Sequence, residues 1–165
     1  MNVLFVCTGN TCRSPMAEEF ADDAGDRSSS IKGMTFKSAG TFAPEGAPAS
    51  EEAIEVMDEA GLDLGRHKSR QFTPELAQWA DVIIAMEAKH IEEMEAMAPE
   101  QESKMHTLLG YAEGIGGYPG DDEFDIIDPY KEPIEDYRET RDQIKTAVDK
   151  ALLRLTDEQA EEDED

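Results

Sequence analysis

Cys7 and Arg13 stand six positions apart in the run Cys7-Thr8-Gly9-Asn10-Thr11-Cys12-Arg13-Ser14. An ionised thiol is a strong nucleophile, and a guanidinium offers planar, paired donors to two oxygens of one oxyanion. Together they could attack a phosphoryl group and hold it. That spacing is weak evidence alone, because a cysteine and an arginine meet at it by chance often enough. The residues between them add to it: Gly9 and Asn10 suit tight or left-handed backbone, and backbone N–H groups of such a turn converge on one point.

The elements on either side strengthen the case. Val3 to Val6 reads as a short buried strand, and Ser14 with Pro15 reads as the cap and first residue of a helix. Met16, Ala17, Phe20, Ala21 and Ala24 make the apolar face of that helix. A strand-loop-helix of this kind places a helix N-terminus beneath the loop, so Thr8, Gly9, Asn10, Thr11, Cys12 and Ser14 form a predicted phosphate cradle. The same field favours the thiolate of Cys7. The bland alternative, a buried cysteine at a strand end and a surface arginine, leaves the combination unexplained.

Beyond residue 27 the periodicity keeps switching between strand and helix, the pattern of a parallel sheet with crossover helices. Strands are expected at Met34 to Lys37, Asp81 to Met86 and Met105 to Leu108. Helices are expected after Ser50 with a stop at Gly61, from Thr73-Pro74, around Glu87 to Met97, and from Ile134 to Leu155. Gly110 to Pro133, rich in Gly, Pro and Asp, reads as a long surface loop of the kind that carries function. Gly114 to Gly117 lacks the spacing and following helix of a nucleotide-binding turn. Residues 1–156 are thus expected to form one domain, and the acidic residues 157–165 a disordered tail.

The 165 residues contain 15 Lys and Arg against 39 Asp and Glu, a formal charge of −24. Such a surface repels nucleic acid and anionic membranes, so neither is an expected partner. The opening residues lack a secretory leader and no apolar stretch is long enough to cross a bilayer, so a cytoplasmic protein is expected. Two cysteines are too few for a disulfide scaffold and fit a reducing compartment.

Cysteine-based phosphoryl transfer also needs an acid for the leaving group. Asp128, followed by Pro129 and Tyr130, is one candidate; Asp121, Asp122 and Asp125 lie in the same loop, and the residues alone do not choose among them.

The choice narrows with a resemblance. VLFVCTGNTCRSPMAE, the SAG at Ser38 to Gly40, HKSRQ at His67 to Gln71 and DPY at Asp128 to Tyr130 together resemble the low-molecular-weight protein tyrosine phosphatases, in order and spacing up to Leu155. That resemblance implies an α/β fold, a three-layer, doubly wound, four-stranded parallel sheet of flavodoxin-like form. It implies Cys7 as nucleophile, Arg13 as phosphate binder and Asp128 as general acid, with no metal and no cofactor. Ser14 is implied to bond the Cys7 sulfur, while Asn10, Ser38 and His67 fix the loop. Without it His67 reads as a capped or solvent-facing histidine, as His90 and His106 still do.

The CTGNTCRS sequence is similar to the bacterial protein arginine phosphatase branch, whereas tyrosine-directed members usually carry a bulky apolar residue where this chain has Thr11. Phosphoarginine on proteins is therefore the expected substrate, with phosphotyrosine the alternative. Thr11, Tyr130 and Phe42 are the expected pocket walls, with Lys131 departing from the usual residue after the DP-aromatic unit. A reversible Cys7–Cys12 disulfide is implied as redox protection. An arsenate reductase, built on a similar fold, would need a further cysteine outside the loop, and the sequence has none. A monomer is expected.

Overall fold

The computed structural model describes residues 1–165. Four strands, β1 (Asn2–Cys7), β2 (Thr35–Gly40), β3 (Val82–Ala85) and β4 (Met105–Thr107), form a parallel sheet in the order β2-β1-β3-β4. Central β1 is apolar on both faces, as a strand covered on both sides must be. Val3, Phe5 and Cys7 enter one core with residues of α1 (Arg13–Arg27), α2 (Glu51–Glu59), α5 (Leu108–Ala112) and α6 (Ile134–Glu164). Leu4 and Val6 enter the other with residues of α3 (Pro74–Trp79) and α4 (Ala88–Met97). The result is the expected three-layer, doubly wound α/β arrangement. Each fully buried side chain such as Phe5 or Ile84 contributes about 1.5–3 kcal/mol.

The strand order reverses at β1, since the chain goes from β1 to β2 on one side and returns to β3 on the other. In sheets of this type the crevice for a ligand opens beyond the carboxyl ends of the strands at that reversal. Cys7 is the last residue of β1.

Local expectations are corrected in four places. The first helix starts at Arg13 with Cys12 at its cap position and no side-chain cap, so Ser14 lies inside the first turn with its hydroxyl committed to the loop. The second strand runs on to Gly40 and so includes Ser38. The fourth strand stops at Thr107, whose hydroxyl accepts from the Gly110 N–H and starts a short helix where the sequence reads as strand and loop. The last helix continues through Glu164, where a disordered tail is expected from residue 157. Glutamate is a good helix former, Arg154 bonds Glu158 at 2.8 Å one turn on, and the Tyr111 hydroxyl donates to Glu158 at 2.6 Å. No helix is long and apolar enough to cross a membrane.

Candidate active site

The loop from Cys7 to Arg13 lies directly on the end of β2. Cys7 is in register with Gly40, whose N–H and C=O pair with the segment at Arg70 to Phe72. A Cβ at Gly40 would stand 2.3 Å from the Thr8 carbonyl oxygen and 3.0 Å from the Asn10 nitrogen, so only glycine allows this approach.

Asn10 takes the left-handed turn at φ +55° and is fully buried. Its side-chain amide donates to Ser14 Oγ and Ser38 Oγ, each at 2.9 Å, and its Oδ1 accepts from the Arg70 N–H. His67 Nε2 donates to the Asn10 carbonyl at 2.7 Å, and the Ser38 hydroxyl donates to Glu18 Oε1 at 2.5 Å. Asn10, Ser38 and His67 are therefore brought together around the loop.

Cys7 Sγ lies 2.8 Å from Ser14 Oγ. Ser14 already accepts from Asn10, so its own proton is directed at the sulfur when Cys7 is ionised; the Ala39 carbonyl, at 3.4 Å, is a poorer acceptor. Burial pushes the Cys12 thiol far above its ordinary range and the adjacent Cys7 adds to this, so Cys12 stays protonated and does not compete as nucleophile.

Arg13 is almost wholly buried. Its Nη1 donates to Glu87 Oε2 at 2.7 Å and to the Ile126 carbonyl at 2.8 Å, which uses both hydrogens of that nitrogen. The Nε and Nη2 edge remains for an oxyanion, with Nη2 3.4 Å from Asp128 Oδ2. Burial alone would lower the Arg13 pKa, but its neighbours Cys7, Glu87 and Asp128 outweigh it and raise the pKa.

These side chains enclose a cavity of about 240 Å³ lined by Cys7, Thr8, Thr11, Arg13, Asp128 and Tyr130, among others. Of the four candidate acids only Asp128 lines it; Asp125 instead accepts from the Ala88 N–H at 2.7 Å. Asp128 Oδ1 accepts from the Tyr130 N–H at 3.0 Å, which orients the carboxyl. Phe42 does not line the cavity: it is 70% exposed, its N–H bound to the Thr8 carbonyl. Tyr137 and Ser50, which the sequence did not point to, complete the wall. A wider acidic groove shares Asp128 and adds Glu132, Asp136 and Glu139.

A family profile described as "Low molecular weight phosphotyrosine protein phosphatase" matches residues 2–161. The chain belongs to that family. This low-molecular-weight phosphatase is 39% identical over 157 residues to the protein-arginine-phosphatase of Geobacillus stearothermophilus, covering 95% of this chain and 97% of the relative. The solved structure of the YwlE arginine phosphatase from that organism superimposes with a TM-score of 0.84, at 39% identity, over 97% and 96% of the two chains. A YwlE mutant, with serine in place of its active-site cysteine and that serine phosphorylated, gives 0.82 at 32% identity over 94% and 95%.

Two further residues of this phosphatase lie beyond sequence reasoning. Glu87 follows β3, neighbour of β1, so it emerges at the same end of the sheet as Cys7. That position at the ligand end was the one signal available for it. His90, expected to be capped or solvent-facing, instead caps α4 and is fully buried, because α4 lies over the second core and its first turn reaches the loop. His106 is likewise not free: its Nδ1 accepts from the Gly117 N–H at 2.7 Å. Lys131 sits at φ +65°, a strained backbone for lysine.

Replacing Glu87 with alanine leaves the Arg13 guanidinium buried without its nearest carboxylate. The expected loss is about 3 kcal/mol of folding stability in urea titrations, the low end for breaking a buried pair because Asp128 stays near. An unchanged unfolding midpoint would show that the pair contributes nothing.

Proposed function

We propose that this protein removes phosphate from phosphoarginine residues of proteins through a covalent phosphocysteine at Cys7. The observation that carries the reading is the Cys7 sulfur, 2.8 Å from the Ser14 hydroxyl, in a cavity whose walls include Arg13 and Asp128. In the first step Sγ forms a bond to phosphorus while the bond to the guanidino nitrogen breaks, and Asp128 gives that nitrogen its proton. In the second, Asp128 takes a proton from water as its oxygen attacks phosphorus. The sulfur departs as thiolate, stabilised by Ser14, and inorganic phosphate leaves. Arg13 and the loop N–H groups bear the charge of the transferred group throughout.

The substrate rests on Thr11 and on the arginine phosphatases among the relatives. Thr11 lines the cavity, is tied by its carbonyl to the Ser50 N–H at 2.8 Å, and its hydroxyl has no partner in the protein. A free hydroxyl suits a polar, planar guanidinium better than the face of an aromatic ring. Every side chain of the site comes from one chain, so a monomer suffices, and the free thiols of Cys7 and Cys12 fit a cytoplasmic setting.

The test is steady-state kinetics on matched phosphoarginine and phosphotyrosine peptides. The wild type is expected to prefer phosphoarginine, and Thr11→Ile to shift the ratio of kcat/KM toward phosphotyrosine by about ten-fold or more. A wild type faster on phosphotyrosine, with a ratio unmoved by the substitution, would replace this reading with the tyrosine-directed one.

A further inference from the structure

His90 is wholly buried in the first turn of α4, and both of its ring nitrogens are engaged. Nδ1 faces the Glu87 backbone N–H at 3.1 Å, and Nε2 lies 2.8 Å from Thr8 Oγ1. Burial, reinforced by the charges of Arg13 and Lys89, pushes the histidine down to about 3, so the ring is neutral in the working pH range. A neutral imidazole carries one proton. Because Nδ1 must accept from a backbone N–H, that proton is on Nε2. The Glu87 carboxylate, with Oε2 3.6 Å from Nε2, is beyond hydrogen-bond reach, and Thr8 Oγ1 is the one partner of Nε2, so Nε2–H donates to Thr8.

This fixes the polarity of the Thr8 hydroxyl. Its oxygen receives from His90, so its proton must find another acceptor, and no backbone or side-chain group of the protein takes it. Thr8 lines the cavity with Cys7 and Arg13. With the opposite tautomer the hydroxyl would donate to the histidine and turn lone pairs toward a dianion.

We propose that His90 is a positioning residue that makes the Thr8 hydroxyl a donor into the cavity, where Thr8 Oγ1 hydrogen bonds an oxygen of the substrate phosphoryl group. The inference rests on the cavity being the phosphoryl site. It adds to the loop amides and Arg13 a neutral side-chain donor whose direction is set from a helix on the opposite face of the sheet.

The experiment measures inhibition by inorganic phosphate and turnover of a phosphoarginine peptide in wild type, Thr8→Val, Thr8→Ser, His90→Leu and the Thr8→Val/His90→Leu double variant. Thr8→Val is expected to weaken phosphate inhibition about ten-fold or more, the size of one hydrogen bond to a charged group, and Thr8→Ser to restore it. His90→Leu should show a comparable loss that adds nothing in the Thr8→Val background. Unchanged phosphate inhibition in Thr8→Val, no recovery in Thr8→Ser, or losses that multiply in the double variant would overturn the inference. If His90→Leu does not fold, His90→Gln takes its place in the same cycle with Thr8→Val, and losses that multiply there overturn the inference. A wild type inert toward phosphopeptides and insensitive to phosphate removes the underlying phosphatase reading, whereas an active wild type with unaffected Thr8→Val removes only this inference.

Discussion

Cys7→Ser is expected to lower kcat on phosphoarginine and phosphotyrosine peptides alike by at least about ten-thousand-fold, the scale seen when a covalent nucleophile is deleted. A serine hydroxyl is not ionised at neutral pH, and no side chain here is placed to take its proton. Ser14 points its own hydroxyl at position 7, and the two histidines that reach the loop are spent, His90 on Glu87 and Thr8 and His67 on the Asn10 carbonyl. The cradle itself does not depend on sulfur. Asn10, Ser38, His67 and the Arg70 N–H hold the loop, and Glu87 with the Ile126 carbonyl holds Arg13. Phosphate should therefore still bind the serine variant, as read by protection against thermal unfolding. Turnover surviving in that variant would remove Cys7 from the mechanism.

The second large effect is expected at Asp128. Asp128→Asn keeps the shape of the carboxyl and its contact with the Tyr130 N–H but has no proton to give, so kcat on phosphoarginine should fall about 10²–10⁴-fold. The fall should depend on the leaving group. Guanidine is strongly basic and needs a proton in order to depart, whereas a nitrophenolate does not. The same variant should thus lose far less on p-nitrophenyl phosphate in its first step. Equal losses on both substrates would mean that Asp128 acts by holding Arg13, 3.4 Å away, and that another group is the acid.

The part of the site that sequence made legible is the part built from neighbours in sequence. A buried strand, a turn with Gly9 and Asn10, and Pro15 in the first helical turn declare β1, loop and α1 together, and with them Cys7 and Arg13. Glu87 is 74 residues from Arg13 and becomes its partner only because β3 lies beside β1. No local pattern encodes that adjacency. His90 is hidden for a related reason: a histidine three residues into a charged helix looks solvent-facing until the sheet that buries it is in place. Phe42, next to the SAG segment, suggests a pocket wall, but the chain turns it outward past Gly40 while Tyr137 arrives from α6 to line the cavity. Asp128 needed the family resemblance to be separated from Asp125, since only the folded loop sends one carboxylate into the cavity and the other to the end of α4.

The cradle is clamped from three directions, whereas Asp128 rides near the end of a long loop with its side chain 45% exposed. Evolution can therefore edit the two separately. Substitutions at Thr11 or between residues 113 and 133 change the wall and the acid that meet the leaving group, while the clamps on Asn10 and Arg13 pass unchanged to descendants. A lineage built this way can move from oxygen-linked to nitrogen-linked phosphate without rebuilding the core of the molecule.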